Sequence, residues 1–313
     1  MRVAFLGKGG SGKTTITGAF ARWLASSGFP TLAVDADMNN HLSHVLGIKN
    51  LPKPLGAHLD DITKYVKGNR KDLGSRPLLS TTPPSPHSQF IVFDKKDPFV
   101  REYGLSEQGL SFFHVGKFSE GDVGANCYHT KLHSLCVVLN HLLDTKDQFV
   151  VVDATAGVDT LSTSLLISYD LTVFVVEPTL KSISVVKDYL QTAPALAEKV
   201  VVIANKVSDE EDLSFIRSHL DEGRLIASIS LSKDLRRFEQ GDTEALDSFI
   251  QNQNESFTKI LQKCRGSSPN RSAMFTALSA IHKKNCEWWY NDYHGERLDT
   301  GLDNTESIST LAS

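Results

Sequence analysis

"FLGKGGSGKTT" (residues 5–15) fits the pattern G-x-x-x-x-G-K-[ST] from Gly7 to Thr14. It lies between an apolar run, "RVAFLG", and a helical pattern, "KTTITGAFARWLASSG", with Gly28 placed as a C-terminal stop. A strand feeding a glycine-rich loop and then a helix is the setting in which this pattern cradles phosphate. Backbone N–H groups of Gly9, Gly10, Gly12 and Lys13 can wrap a β-phosphate, because glycine lets the chain approach closely and the helix N-terminus adds its positive end. Lys13 is expected to reach the β- and γ-phosphates, and the Thr14 hydroxyl to ligate Mg²⁺. The nucleotide-binding set is Gly7, Lys8, Gly9, Gly10, Ser11, Gly12, Lys13, Thr14 and Thr15, with ATP or ADP as the ligand. A glycine-rich turn with an incidental lysine is the alternative, and the flanking elements argue against it. Lys8, ahead of the glycines, has no obvious place in a cradle built by one chain.

Outward from the loop, short apolar runs alternate with helical patterns: "TLAVDAD", "LSFFHVG", "QFVVVDA", "LTVFVVEP", "KVVVIANKV" and "RLIASIS". Several are apolar at consecutive positions, as in strands covered on both faces, so the fold class is α/β: a doubly wound, mostly parallel sheet flanked by helices. Residues 1–243 are expected to form this domain. Residues 51–109, rich in proline, lysine and serine around "SRPLLSTTPPSPHSQ", read as an excursion with little regular structure followed by a short strand at "FIVFD". Residues 244–293 read as a C-terminal helical extension, in which Met274, Phe275, Leu278, Ile281 and Trp288 recur at near-helical spacing, as for a helix packed on its own domain. Residues 294–313 lack apolar periodicity and are expected to be disordered.

Four further residue sets point to the same site. "VVVDATAG" ends an apolar run in Asp153, placed to hold Mg²⁺ through water, with Gly157 four residues on to offer its N–H to a γ-phosphate. "AVDADMNNHLS" carries Asp35 and Asp37, whose carboxylates point the same way if the strand continues. A carboxylate just beyond a strand end can orient an attacking water, and the alternative is that one or both cap the next helix. In "IANKV", Asn205 offers a donor and an acceptor suited to an adenine edge, and the stem of Lys206 can cover the ring face.

The chain has 313 residues, is 40% apolar and carries a formal charge of -4, enough to bury a core without disulfide or metal. Its lysines and arginines are scattered, so no nucleic-acid binding is expected. No run reaches the roughly 18 apolar residues of a membrane span, and the apolar start is too short for a signal peptide. Four cysteines are too few and too spread for a disulfide framework, which fits a cytoplasmic location.

"KGGSGKTT" resembles the deviant phosphate loop K-G-G-x-G-K-[ST]-[ST] of the MinD, ParA and ArsA class of dimeric ATPases, and "DADMNNHLS", "DATAG" and "NKV" follow in that family's order. The resemblance covers residues 1 to about 240 and implies an ATP-dependent homodimer. Lys8 then crosses the interface to the partner's nucleotide, Asp37 activates water, and Asp35 supports Mg²⁺ from behind its direct ligands. Within the class, "FFHVGKFSEGDVGANCYHTKLHSLCVVLNHLL" and "VVEPTLKS" are similar to the CooC-type nickel-insertion ATPases, where two cysteines of each subunit bind one metal across the dimer. Here the second cysteine is replaced, giving Cys127-Tyr128-His129, and Thr155 stands where that subfamily tends to carry Glu.

Cys127 and His129 from two copies would make a Cys₂His₂ set suited to tetrahedral Zn²⁺, whereas Ni²⁺ prefers another geometry, so the metal stays open. The alternative is a small buried cysteine and a helix-start polar group. His133 is a spare ligand one turn on, and Cys136 is expected to face the core. The resulting expectation is an ATP hydrolase, slow and dimer-dependent, delivering metal or another cargo to a client protein. A positioning ATPase like ParA or MinD, and an ATP-binding scaffold with little turnover, are the alternatives.

Overall fold

The structure, a computed structural model, describes residues 1–107, 109–118, 120–122, 127–155, 157 and 159–303. Its strands are β1 (Arg2–Gly7), β2 (Thr31–Asp35), β3 (Ile91–Val92), β4 (Leu105–Glu107), β5 (Leu110–His114), β6 (Leu142–Leu143), β7 (Phe149–Asp153), β8 (Leu171–Val176), β9 (Val200–Val207) and β10 (Leu225–Ser230). Eight of them form one sheet in the order β10-β9-β8-β1-β7-β2-β5-β4, parallel throughout except for the β4–β5 edge; β3 and β6 pair separately.

The helices are α1 (Lys13–Ser26), α2 (Leu42–Val45), α3 (Leu59–Lys67), α4 (Pro98–Tyr103), α5 (Tyr128–His141), α6 (Leu165–Ser168), α7 (Leu180–Thr192), α8 (Glu210–His219), α9 (Lys233–Glu239), α10 (Glu244–Asn252), α11 (Asn254–Gly266), α12 (Arg271–Asn285) and α13 (Asn291–His294). Because side chains alternate along a strand, β1 sends Ala4 and Leu6 to one face and Val3 and Phe5 to the other. The first face packs on α3, α5 and α7 through Ile62, Leu135 and Val186, and the second on α1, α10 and α11 through Phe20, Phe249 and Phe257. Both layers are buried, which is why the strands carry consecutive apolar residues. Among the described residues no helix is long and apolar enough to cross a membrane.

Three local expectations change. Residues 51–109 are irregular mainly over 68–90, since α3 forms within them and buries Ile62 and Val66; the strand expected at "FIVFD" shrinks to Ile91–Val92. An apolar pair at i and i+4 is too little to announce a helix until a core lies beside it. Second, Met274, Phe275 and Leu278 are buried as expected, but Trp288 is 76% exposed. A π-helical turn over Cys286–Tyr290 rotates the register, so that His282, Cys286 and Tyr290 take the inner face. Third, part of the expected disordered tail is packed: Leu298 is buried, and Arg76 donates to the carbonyls of Arg297 and Thr300 at 3.0 and 2.6 Å. Residues 304–313 lie outside the described residues.

Candidate nucleotide site

The parallel strands all end on one side, and the loop after β1 lies there, between the ends of β8 and β7. Strand carboxyl ends at such a point are where ligands bind in open α/β sheets. The loop needs its glycines: Gly10 and Gly12 have φ of 86° and 90°, a region other residues rarely adopt. Gly7 lies so close to the Val175 carbonyl and the Ser11 hydroxyl that no Cβ would fit. Helix α1 begins at Lys13 with no side-chain cap and no acidic residue in its first turn, which leaves its leading N–H groups directed at the loop. Ser11 is fully buried, and its hydroxyl has no hydrogen-bond partner among the described residues. An uncapped helix start, a backbone that admits no Cβ and an orphaned buried hydroxyl fit a phosphate group.

Below the loop, Lys13 Nζ lies 2.6 Å from Asp153 Oδ1 and 3.2 Å from Asp37 Oδ2, and all three residues are buried. Burial alone would lower the lysine pKa, but the two carboxylates outweigh it and raise it, so Lys13 stays charged. Thr14 Oγ1 donates to Asp153 Oδ2 at 2.7 Å, so the two residues expected to hold Mg²⁺ adjoin each other.

Asp35 departs from its expectation. The strand stops at Asp35, and the chain turns so that the N–H of Asp37 donates to Asp35 Oδ1 at 3.2 Å while the N–H of Leu42, at the start of α2, donates to Asp35 Oδ2 at 2.9 Å. The two carboxylates therefore do not share a face: Asp35 takes the capping role offered as the alternative, and Asp37 turns to Lys13. Sheet register sets Asp35 directly beside Asp153. Burial first, and the charge of Asp153 second, push the Asp35 carboxyl up to about 8.

The other expected ligands of the nucleotide hold the loop itself. Asn205 Nδ2 donates to the Ser11 carbonyl at 2.7 Å. Lys206, with φ of 59°, donates from Nζ to the Gly10 carbonyl at 2.7 Å and pairs with Glu177 at 2.6 Å. The N–H of Gly157 donates to the Gly7 carbonyl at 3.0 Å, closing the segment after β7 onto the loop. Glu177 was not singled out from the sequence, although an acidic residue ending the apolar run "LTVFVVEP" could have flagged it. Lys8 is half-buried, and its ammonium makes no ion pair or side-chain hydrogen bond among the described residues.

Cys127 and His129 flank the first residue of α5. Cys127 is exposed rather than the small buried residue of the alternative reading, and its Sγ lies 2.9 Å from His129 Nδ1. Cys136 is buried, as expected for a core residue. His133 lines a groove of about 690 Å³ together with Leu59, Trp289 and Tyr293. Among the described residues no group of three or more possible metal ligands converges in one chain.

Residues 3–244 match the model of a nucleotide-binding-domain family, CobQ/CobB/MinD/ParA. The chain is 27% identical over 249 residues to the carbon monoxide dehydrogenase accessory protein CooC of Rhodospirillum rubrum, covering 79% of this chain and 90% of that protein. Its fold is similar to the cell division ATPase MinD of Pyrococcus furiosus (TM-score 0.51, 17% identity, covering 83% of this chain and 98% of that one). It is similar also to a ParA family ATPase of Chlorobium tepidum (TM-score 0.52, 15% identity, 80% and 96%). A family match over most of the chain and a glycine loop seated above Lys13 and its carboxylates lead to one conclusion: the chain belongs to the CobQ/CobB/MinD/ParA nucleotide-binding-domain family.

Proposed function

We propose that the chain is an ATPase that closes as a homodimer around Mg-ATP, hydrolyses it slowly, and uses the passage between closed and open forms to load or release a metal ion for a client protein. The observation that carries the reading is Lys13 held between Asp153 and Asp37 beneath an uncapped loop, with the second lysine, Lys8, in no ion pair among the described residues. Lys13 would turn from the carboxylates to the phosphates, and Asp37, relieved of its ion pair, would orient the attacking water. Mg²⁺, when bound, neutralises charge on the phosphates; Thr14 and Asp153 are the residues that would hold it, with Asp35 behind them. Lys8, which makes no ion pair among the described residues, would serve the nucleotide of a second copy.

The metal part of the reading rests on the exposed Cys127–His129 pair and on the likeness to a carbon monoxide dehydrogenase accessory protein. One chain supplies two donors, so a tetrahedral set requires two chains. Two measurements test these parts separately. Light scattering with ATP present should give a dimer for the parent and a monomer for Lys8→Ala; a dimer in both would remove the cross-subunit role of Lys8. Zinc and nickel analysis with and without ATP should find metal in the parent and none in Cys127→Ala; equal metal in both would remove the cargo and leave the ATPase.

A further inference from the structure

Tyr128 lies between Cys127 and His129 as the first residue of α5, yet its ring turns the opposite way. Cys127 is exposed, whereas Tyr128 is only 4% exposed and packs against Phe118 with ring centroids 5.7 Å apart. Its hydroxyl is buried with no hydrogen-bond partner among the described residues. A buried hydroxyl left unpaired costs about 1–3 kcal/mol, and a phenylalanine would give the same packing without that cost. The ring sits within electrostatic reach of Asp35, Asp37 and Asp153, the carboxylates under the phosphate loop. A tyrosine hydroxyl is protonated at neutral pH and can donate.

We propose that Tyr128 is a positioning residue joining the nucleotide site to the Cys127–His129 pair, its hydroxyl donating to Asp37 once Lys13 has left that carboxylate for phosphate. The inference rests on the nucleotide-binding part of the proposed function. Among the described residues Asp37 Oδ2 is held by Lys13 alone, so departure of the ammonium leaves a buried acceptor without its partner, while Tyr128, which feels the charge of Asp37, holds an unpaired buried donor. Forming that bond shifts the first turn of α5. Cys127 and His129, each joined to Tyr128 by a peptide bond, then cannot keep their present 2.9 Å contact unchanged. The coupling needs no contact between nucleotide and metal.

The test reads the reactivity of the Cys127 thiol towards a disulfide reagent such as dithionitrobenzoate. Cys136, Cys264 and Cys286 are buried, and Cys127→Ala identifies the fast-reacting thiol. Each protein is compared free and saturated with Mg-AMPPNP, saturation being established by calorimetry. In the parent the nucleotide should change the rate by at least about five-fold, the low end of typical coupling between sites. In Tyr128→Phe, saturated with Mg-AMPPNP, the two rates should coincide. A parental rate indifferent to bound AMPPNP, or a Tyr128→Phe rate that still responds, would overturn the coupling while leaving nucleotide binding intact. Failure of AMPPNP to bind the parent would remove both readings, and calorimetry separates that failure from the others. Circular dichroism and urea unfolding show that the variant is folded; loss of the unpaired hydroxyl should leave its stability equal or higher.

Discussion

At its two ends β1 meets two buried sets of charges. At the C-terminal end the single cation of Lys13 faces Asp35, Asp37 and Asp153. At the N-terminal end Arg2 and Arg271 face Asp144 and Asp170, with Arg2 Nη2 2.6 Å from Asp144, and Arg271 2.8 Å from Asp144 and 2.9 Å from Asp170. With the Met1 ammonium 3.1 Å from Asp144, the second set has cations enough for both carboxylates, and it ties α12 to the start of the first strand. The first has an excess of carboxylate that can be relieved by taking up a proton, as at Asp35, or by admitting a further cation. Guanidinium groups have no such freedom, because they do not lose their protons in proteins. A buried charge set that can adjust suits binding; one that cannot suits permanence.

Substitution at each end should break the molecule differently. Asp144→Ala, which takes from the buried Arg2 its carboxylate partner and leaves Arg271 with Asp170 alone, should cost about 3–5 kcal/mol of stability by urea unfolding. A loss below about 1 kcal/mol would mean that the set is solvated and of little structural weight. Burial opposes ionisation of Asp144, but Arg2 and Arg271 outweigh it and hold its carboxyl well below the ordinary range. Its stabilisation is therefore complete above the unfolded value near about 4 and is lost as pH falls through the folded value.

Lys13→Ala should have the opposite profile. Phosphate release should fall by about 10²–10³-fold, the usual cost of removing a donor aimed at developing charge. The urea midpoint should move far less than in Asp144→Ala, because the carboxylates left behind can protonate. A Lys13→Ala protein that hydrolyses ATP at the parental rate would place the chemistry elsewhere.

The smallest effect concerns the proton on Asp35. With a folded pKa of about 8, Asp35 is protonated at pH 7, and arrival of Mg-nucleotide should expel up to about one proton. Calorimetry in buffers of differing ionisation enthalpy should detect the release at pH 7, lose it near pH 9, and find none in Asp35→Asn. Release unaltered in Asp35→Asn would assign the proton to another group. The same shift makes the free protein less stable as pH rises from about 4 to 8, since the folded form keeps a proton the unfolded chain has lost.

The site was legible in the sequence where a local pattern forces a local shape. The glycines of the phosphate loop, the strand before it and the helix after it lie within a few residues of one another, and Asp37 and Asp153 follow apolar strands whose ends must lie together in a parallel sheet. What was not legible depends on contacts far apart along the chain. Asn205 and Ser11 are separated by 194 positions, so no spacing rule could show that the amide would take up the loop carbonyl. The turn that buries Asp35 depends on where β2 stops, and the outward swing of Trp288 on one π-helical turn. Tyr128 gave no signal, because a tyrosine between a cysteine and a histidine carries no information about which way its ring will point.

The sequence by itself determined a doubly wound α/β sheet with a phosphate loop after its first strand, because glycine conformation and runs of consecutive apolar residues act over a few positions. Only the tertiary structure decided which buried charges face one another, which polar groups remain unpaired, and that Tyr128 is buried between an exposed Cys127 and a half-buried His129. Those outcomes are set by the packing of helices on both faces of the sheet, where burial removes water and makes each missing partner costly.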